Sequence, residues 1–149
     1  TDEFIRTLSF KSTSSIAGDE DVYLFFQYWL LPAEHHDGYA LYYYNSMREE
    51  LEMVKAVTTE QVRSIFTEPI EFNGRIQLFT YHLRMAVELL GEPAYRLGLI
   101  DSGILINQVS SAAGIPKEDI FTQFYDSHVQ SLLSINGDAE IPLAIMIKR

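Results

Sequence analysis

His35, His36 and Asp37 are consecutive, and imidazole with carboxylate is a common ligand set for a divalent metal ion. Adjacent side chains of an extended loop point apart, and no His-Glu-x-x-His or comparable spacing accompanies them, so the triplet reads as a solvated turn. His82 sits in the apolar run "LFTYHL" and His128 in "YDSHVQSLL"; each reads as an ordinary polar or packing residue. Tyr42, Tyr43 and Tyr44, with Tyr28, Trp29 and Tyr39 nearby, could stack on a planar ligand. Aromatics in neighbouring strands also stabilise a sheet by pairing across it, and that is the simpler use of this run. Glu49, Glu50 and Glu52 have the look of a solvated edge rather than an acid–base pair. The sequence holds no Gly-x-Ser-x-Gly elbow, phosphate-binding loop or dinucleotide fingerprint, so those three chemistries lack a motif.

The elements that must position these residues belong to one domain. At 149 residues and 47% hydrophobic content, residues 1–149 suffice for one independent core. With 21 acidic and 11 basic side chains the net charge is -10, which argues against sequence-independent binding to nucleic acid. There is no cysteine, hence no disulfide, thiolate zinc site or cysteine nucleophile. The apolar runs fall short of the ~20 residues that cross a membrane, and no cleavable signal segment is read after Thr1. A cytoplasmic location without membrane contact is the expectation.

The pattern along the chain is α+β. "VYLFFQYWLL", closed by Pro32, reads as a buried strand; a turn at Asp37-Gly38 joins it to a second, Tyr39 to Tyr44, and a third runs from Leu51 to Val54. Thr58, three residues ahead of Gln61, forms a capping box for a helix from Thr59 to Phe66. "RIQLFTYHL" is a further strand, while "RMAVELLGE" fits a strand end or a helical turn equally. Pro93 opens and Gly114 ends a long helix. That helix has no wholly polar face and keeps Gly98 and Gly103 inside it, each at a cost of roughly 1 kcal/mol, so it reads as central and tightly packed. A last helix capped by Asp126 or Ser127 and the strand "IPLAIMIK" complete the order.

The stretch from Tyr95 onward resembles the nitroreductase-like flavoproteins, in particular the SagB-type dehydrogenases that oxidise azoline rings in ribosomal peptides. Tyr95-Arg96, Asp101, Gly103, Gln108, Ala112-Ala113-Gly114, Leu132-Leu133, Gly137 and Pro142-Leu143 occupy the matching places. The similarity runs from about Ser12 to Lys148 and is most specific after Tyr95. It implies a mixed, mainly antiparallel sheet with flanking helices and a long central apolar helix. It also implies FMN at the interface of a dimer, made with a second copy or with a related chain, and a peptide as substrate. Small residues of the long helix (Gly98, Ser102, Gly103 and Ser110) would then let the partner approach.

The departures from the pattern are specific. Family members begin with an extra phosphate-holding segment, and their Pro-Ser-Gly-Gly loop aligns with "KSTSS", leaving Ser12 and Ser14 without the glycines. The Lys-Tyr pair of azoline dehydrogenases falls on Leu89 and Leu90, and leucine cannot be a general base. Tyr81, His82 and Glu88 are the titratable residues nearest that place. By resemblance the cofactor contacts would be Arg96, Ser12, Ser14, Lys148 and Arg149, with Arg96 pairing with Asp101 as the alternative. Two functions follow: an FMN-dependent oxidoreductase domain in peptide or small-molecule tailoring, incomplete on its own, or a non-enzymatic dimerisation or peptide-binding partner of a complete dehydrogenase.

Overall fold

A computed structural model describes residues 24–149. Six strands form one sheet in the order β3-β2-β1-β4-β6-β5. They are β1 (Phe25–Pro32), β2 (Tyr39–Asn45), β3 (Glu50–Val57), β4 (Arg75–Tyr81), β5 (Ile120–Phe121) and β6 (Ile141–Lys148). Every neighbouring pair is antiparallel, so among the described residues the expected mixed, mainly antiparallel sheet is antiparallel throughout. Among the described residues four α-helices accompany it: α1 (Thr59–Arg63), α2 (Leu83–Leu90), α3 (Ala94–Ala113) and α4 (Asp126–Leu133), with a 3-10 turn at Lys117–Asp119.

Local chemistry explains most boundaries. The Gln61 amide donates to Thr58 Oγ1 at 3.1 Å and the Thr58 amide to Gln61 Oε1 at 2.8 Å, the reciprocal capping box that starts α1. α1 ends sooner than the sequence pattern suggests; its last turns tighten into i→i+3 bonds at Ile65 and Phe66. The ambiguous segment is helical: Met85 N–H donates to His82 Nδ1 at 3.2 Å, which caps α2 and ends β4 at Tyr81. α3 begins one residue after Pro93, and Gly114 closes it in the left-handed region at φ 65°. α4 has Tyr125 at its cap position with no side-chain bond, so neither Asp126 nor Ser127 caps it.

Strand alternation gives the sheet two different faces. On one, Tyr28, Leu30, Leu41, Ile76, Leu78, Ile145 and Ile147 pack against Val62, Ile65 and Phe66 from α1 and its following turn, and against Val129, Leu132 and Leu133 of α4. On the other, Phe79, Ala144 and Met146 lie under Val109 of α3 and Ile115 beyond it. Ala113, at the end of α3, reaches Trp29 and Tyr44. The helix therefore covers the β4–β6 half of this second face and stops at β1.

Candidate functional site

α3 carries its side chains in an unusual distribution. Ala94, Gly98, Ser102, Val109 and Ser110 are the buried positions, so small residues face the molecule. Gly98 answers to Tyr81: a methyl there would overlap the phenol ring, whose hydroxyl donates to the Ala94 carbonyl at 2.8 Å. Ser102 and Ser110 satisfy their buried hydroxyls by donating to the Leu99 and Asn107 carbonyls at 2.8 and 3.1 Å. Val109 is buried beside them and Leu105 and Ile106 pack inward too, while other bulky side chains point outward. Ile100 is 58% exposed and Ile104 53%, and Leu99 and Tyr95 on the same helix and Val87 and Leu89 on α2 are exposed as well. Gly103 stands between Ile100 and Ile104 with nothing within 4 Å of its added Cβ position. The helix is thus half-exposed rather than wholly packed. Of the four small residues expected to admit a partner, Gly98, Ser102 and Ser110 serve the intramolecular contact.

Among the described residues, the second sheet face is uncovered where α3 stops. A cleft of about 810 Å³ lies over β1, β2 and β3, with Leu31, Tyr42, Tyr44, Leu51 and Met53 among its lining residues. The tyrosine run divides by strand alternation: Tyr43 goes to the other face, against Phe26 and Tyr28, while Tyr42 and Tyr44 serve the cleft. Carboxylates stand at both ends. Glu34, with His35 and His36, belongs to the β1–β2 turn, and Glu49 with Glu50 to the β2–β3 turn; Arg75 is the basic lining residue. Beside the cleft, Trp29 and Gln77 are directly opposed on β1 and β4, and Trp29 Nε1 and Gln77 Oε1 are buried without a hydrogen-bond partner.

A second polar cluster, which the sequence reading missed, is buried in the other layer. Glu140 Oε2 accepts from Tyr28 Oη at 2.9 Å and from Thr80 Oγ1 at 2.6 Å. Burial, then the adjacent carboxylate, pushes the Tyr28 phenol well above its ordinary range. Tyr43 is raised by burial first, then by Glu140 and Glu52. Both donors to Glu140 are hydroxyls, and the group ties β1, β4 and the turn before β6 together, which is an anchoring role. Its signal in the sequence was weak: an isolated polar residue, Thr80, inside an otherwise apolar strand run.

The sequence-derived site residues do not converge. Ser12 and Ser14 lie outside the described residues. Arg96 is exposed near the start of α3. Lys148 Nζ donates to the Ala113 carbonyl at 2.8 Å, at the far end of the same helix, about 25 Å away at 1.5 Å rise per residue. Arg149 bonds Asp119 at 2.9 Å and the Glu71 carbonyl at 2.6 Å. An FMN phosphate needs cations or amides gathered at one point, so the described residues of a single chain do not by themselves fit it. Tyr81 and His82 are spent on the Ala94 carbonyl and the α2 cap, Glu88 is exposed, Leu89 is exposed on α2 and Leu90 packs near Tyr81. His128 Nδ1 lies 2.8 Å from the Ser64 carbonyl, a packing role. Among the described residues no three His, Cys, Asp or Glu side chains form a metal cluster, and no helix is long and apolar enough to cross a membrane.

Solved structures share this architecture. The chain is similar to one in the E. coli microcin synthetase McbBCD complex with truncated pro-MccB17 bound, at TM-score 0.73 and 17% identity, covering 97% of this chain and 62% of that one. It is similar to a putative nitroreductase from Anabaena variabilis at TM-score 0.71 and 20% identity, covering 84% of this chain and 27% of that one. A putative nitroreductase from Ralstonia eutropha gives TM-score 0.70 and 15% identity over 98% and 69% of the two chains. The chain thus spans less than two thirds of the first two. No protein-family model and no curated protein matches it. The fold is nitroreductase-like, as the sequence resemblance implied.

Proposed function

We propose that this chain is a SagB-type nitroreductase-fold subunit of a flavin-dependent peptide-tailoring oxidoreductase, incomplete alone and paired with a second copy through α2 and α3. The observation that carries the reading is the row of exposed apolar side chains Leu99, Ile100 and Ile104 on α3. Apolar side chains held out along a helix favour an interaction surface, because leaving them in water forgoes about 25 cal/mol per Å². Gly103 at its centre lets two backbones come close without a Cβ between them. In a two-fold pairing the same patch faces itself, so one helix supplies both halves of the contact.

Incompleteness rests on chemistry. Leu89 and Leu90 stand where the resemblance places a proton-accepting Lys-Tyr pair, and neither can exchange a proton. Arg96 and Lys148 of one chain are too far apart to share a phosphate, whereas a second chain can bring a cation to either end of α3. The peptide part of the reading is supported by the similar chain from a complex that holds truncated pro-MccB17.

Native purification tests the reading on two axes. Sedimentation velocity is expected to show a dimer that Ile104→Asp converts to monomer. Absorbance after incubation with excess FMN and removal of the free cofactor is expected to show flavin retained by the dimer and lost from the Ile104→Asp monomer. A wild-type monomer at all concentrations would overturn it.

A further inference from the structure

The open half of the second sheet face ends in an edge. β3 pairs with β2 and, among the described residues, with no other strand, so the outer backbone groups of Glu50–Val57 are not engaged by a ladder. Met53 is 61% exposed and Val54 46%, apolar side chains standing between the charged Glu52 and Lys55 of the same strand. The cleft runs beside this edge, with an aromatic and aliphatic floor and with its carboxylates at the two ends, Glu34 at one and Glu49 and Glu50 at the other. The strand between those ends is eight residues long, about 27 Å at 3.4 Å per residue.

We propose that β3 and the cleft take an extended basic peptide segment, added to the sheet as a seventh strand, with lysine or arginine near each end and apolar side chains at alternate positions between. Main-chain pairing to β3 would supply affinity, and the alternate side chains would rest on Tyr42, Leu51 and Met53. The end carboxylates set the sign of the preference and steer the approach. Arg48 lies 3.5 Å from Glu50, but both side chains are largely exposed and such a pair is readily exchanged for a peptide cation. An acidic segment or a phosphate backbone meets repulsion from the same carboxylates. The inference rests on the peptide-tailoring reading only for the source of the segment.

The test is a fluorescence-anisotropy titration of the full chain with a fluorescein-labelled peptide of strand length, lysine at each end and alternating phenylalanine and threonine between. Binding is expected to be at least tenfold tighter than for the same peptide with glutamate at each end, and to fall at least tenfold on N-methylation of alternate peptide amides. Glu34→Lys combined with Glu50→Lys, two exposed positions at opposite ends of the cleft, should reverse the preference; Met53→Lys should weaken the lysine-ended peptide. Equal affinity for the two peptides, or binding indifferent to N-methylation, would overturn the proposal. Sedimentation of the chain without peptide reports dimerisation separately, so failure of one reading is distinguishable from failure of the other.

Discussion

The two layers against the sheet use their helices in opposite ways. α1 and α4 send bulk inward: Val62, Val129, Leu132 and Leu133 are buried against Leu30, Leu78 and Ile145, while Glu60, Arg63, Ser127 and His128 meet solvent. α3 turns Gly98, Ser102 and Ser110 inward beside Leu105, Ile106 and Val109, and holds Leu99, Ile100 and Ile104 out. A helix of the first kind is stabilised by the chain it belongs to. One of the second kind lies close to its own sheet, through Gly98 and Ser102, and leaves part of its apolar area uncovered among the described residues. The closed layer also carries the buried hydrogen-bond anchor at Glu140, whereas beyond the end of α3 the second layer is open enough to leave a cleft.

Substitutions on the two sides should separate cleanly. The largest effect is expected at Glu140→Ala, which leaves the Tyr28 and Thr80 hydroxyls buried without an acceptor; at ~2 kcal/mol for each, denaturant unfolding should show a loss of about 4 kcal/mol. The same anchor fixes a pH dependence. The folded-state pKa of Tyr28 is raised above the unfolded value near 10, so its contribution is fully present below pH 10 and is lost as pH climbs through the raised value. Tyr39, Tyr43 and Tyr81 are raised too, chiefly by burial. An ultraviolet titration of phenolate should therefore show a delayed group among the nine tyrosines, ionising with alkaline unfolding; simultaneous ionisation of all nine near pH 10 without unfolding would contradict the burial.

The two glycines of α3 sharpen the comparison further. Gly98→Ala forces the new methyl into the Tyr81 ring and should cost about 2 kcal/mol, more than the helix propensity it gains. Gly103→Ala meets no atom of its own chain, so the isolated subunit should gain about 1 kcal/mol, while the assembly weakens if the backbones cross there. Outcomes of opposite sign at the two positions are what an inward and an outward face require. Ile104→Asp should move subunit stability by about 0.5 kcal/mol or less, as expected of an exposed site.

Much of this fold was legible in the sequence because its signals are local. Thr58 and Gln61 announce α1 from four consecutive residues, Gly114 announces the end of α3, and the alternating aromatic runs give β1 and β2. What stayed hidden depends on distant partners. Glu140 follows an ordinary turn, and its donors lie 112 and 60 residues away. The reason for Gly98 is Tyr81, and nothing in a helix without a polar face says which of its sides turns inward. The segment after Tyr81 is only eight residues long and follows a strand directly, and its start as a helix is set by the cap at His82. The edge status of β3 is a property of sheet order, which periodicity does not record.

The central claim is that the outward side of α3 is covered by a second chain. Sedimentation velocity of the native protein beside its Ile104→Asp variant tests it most directly. A dimer for the first and a folded monomer for the second is the result the account predicts. A wild-type chain that sediments as a monomer across the concentration range, or a dimer untouched by the aspartate, would contradict it.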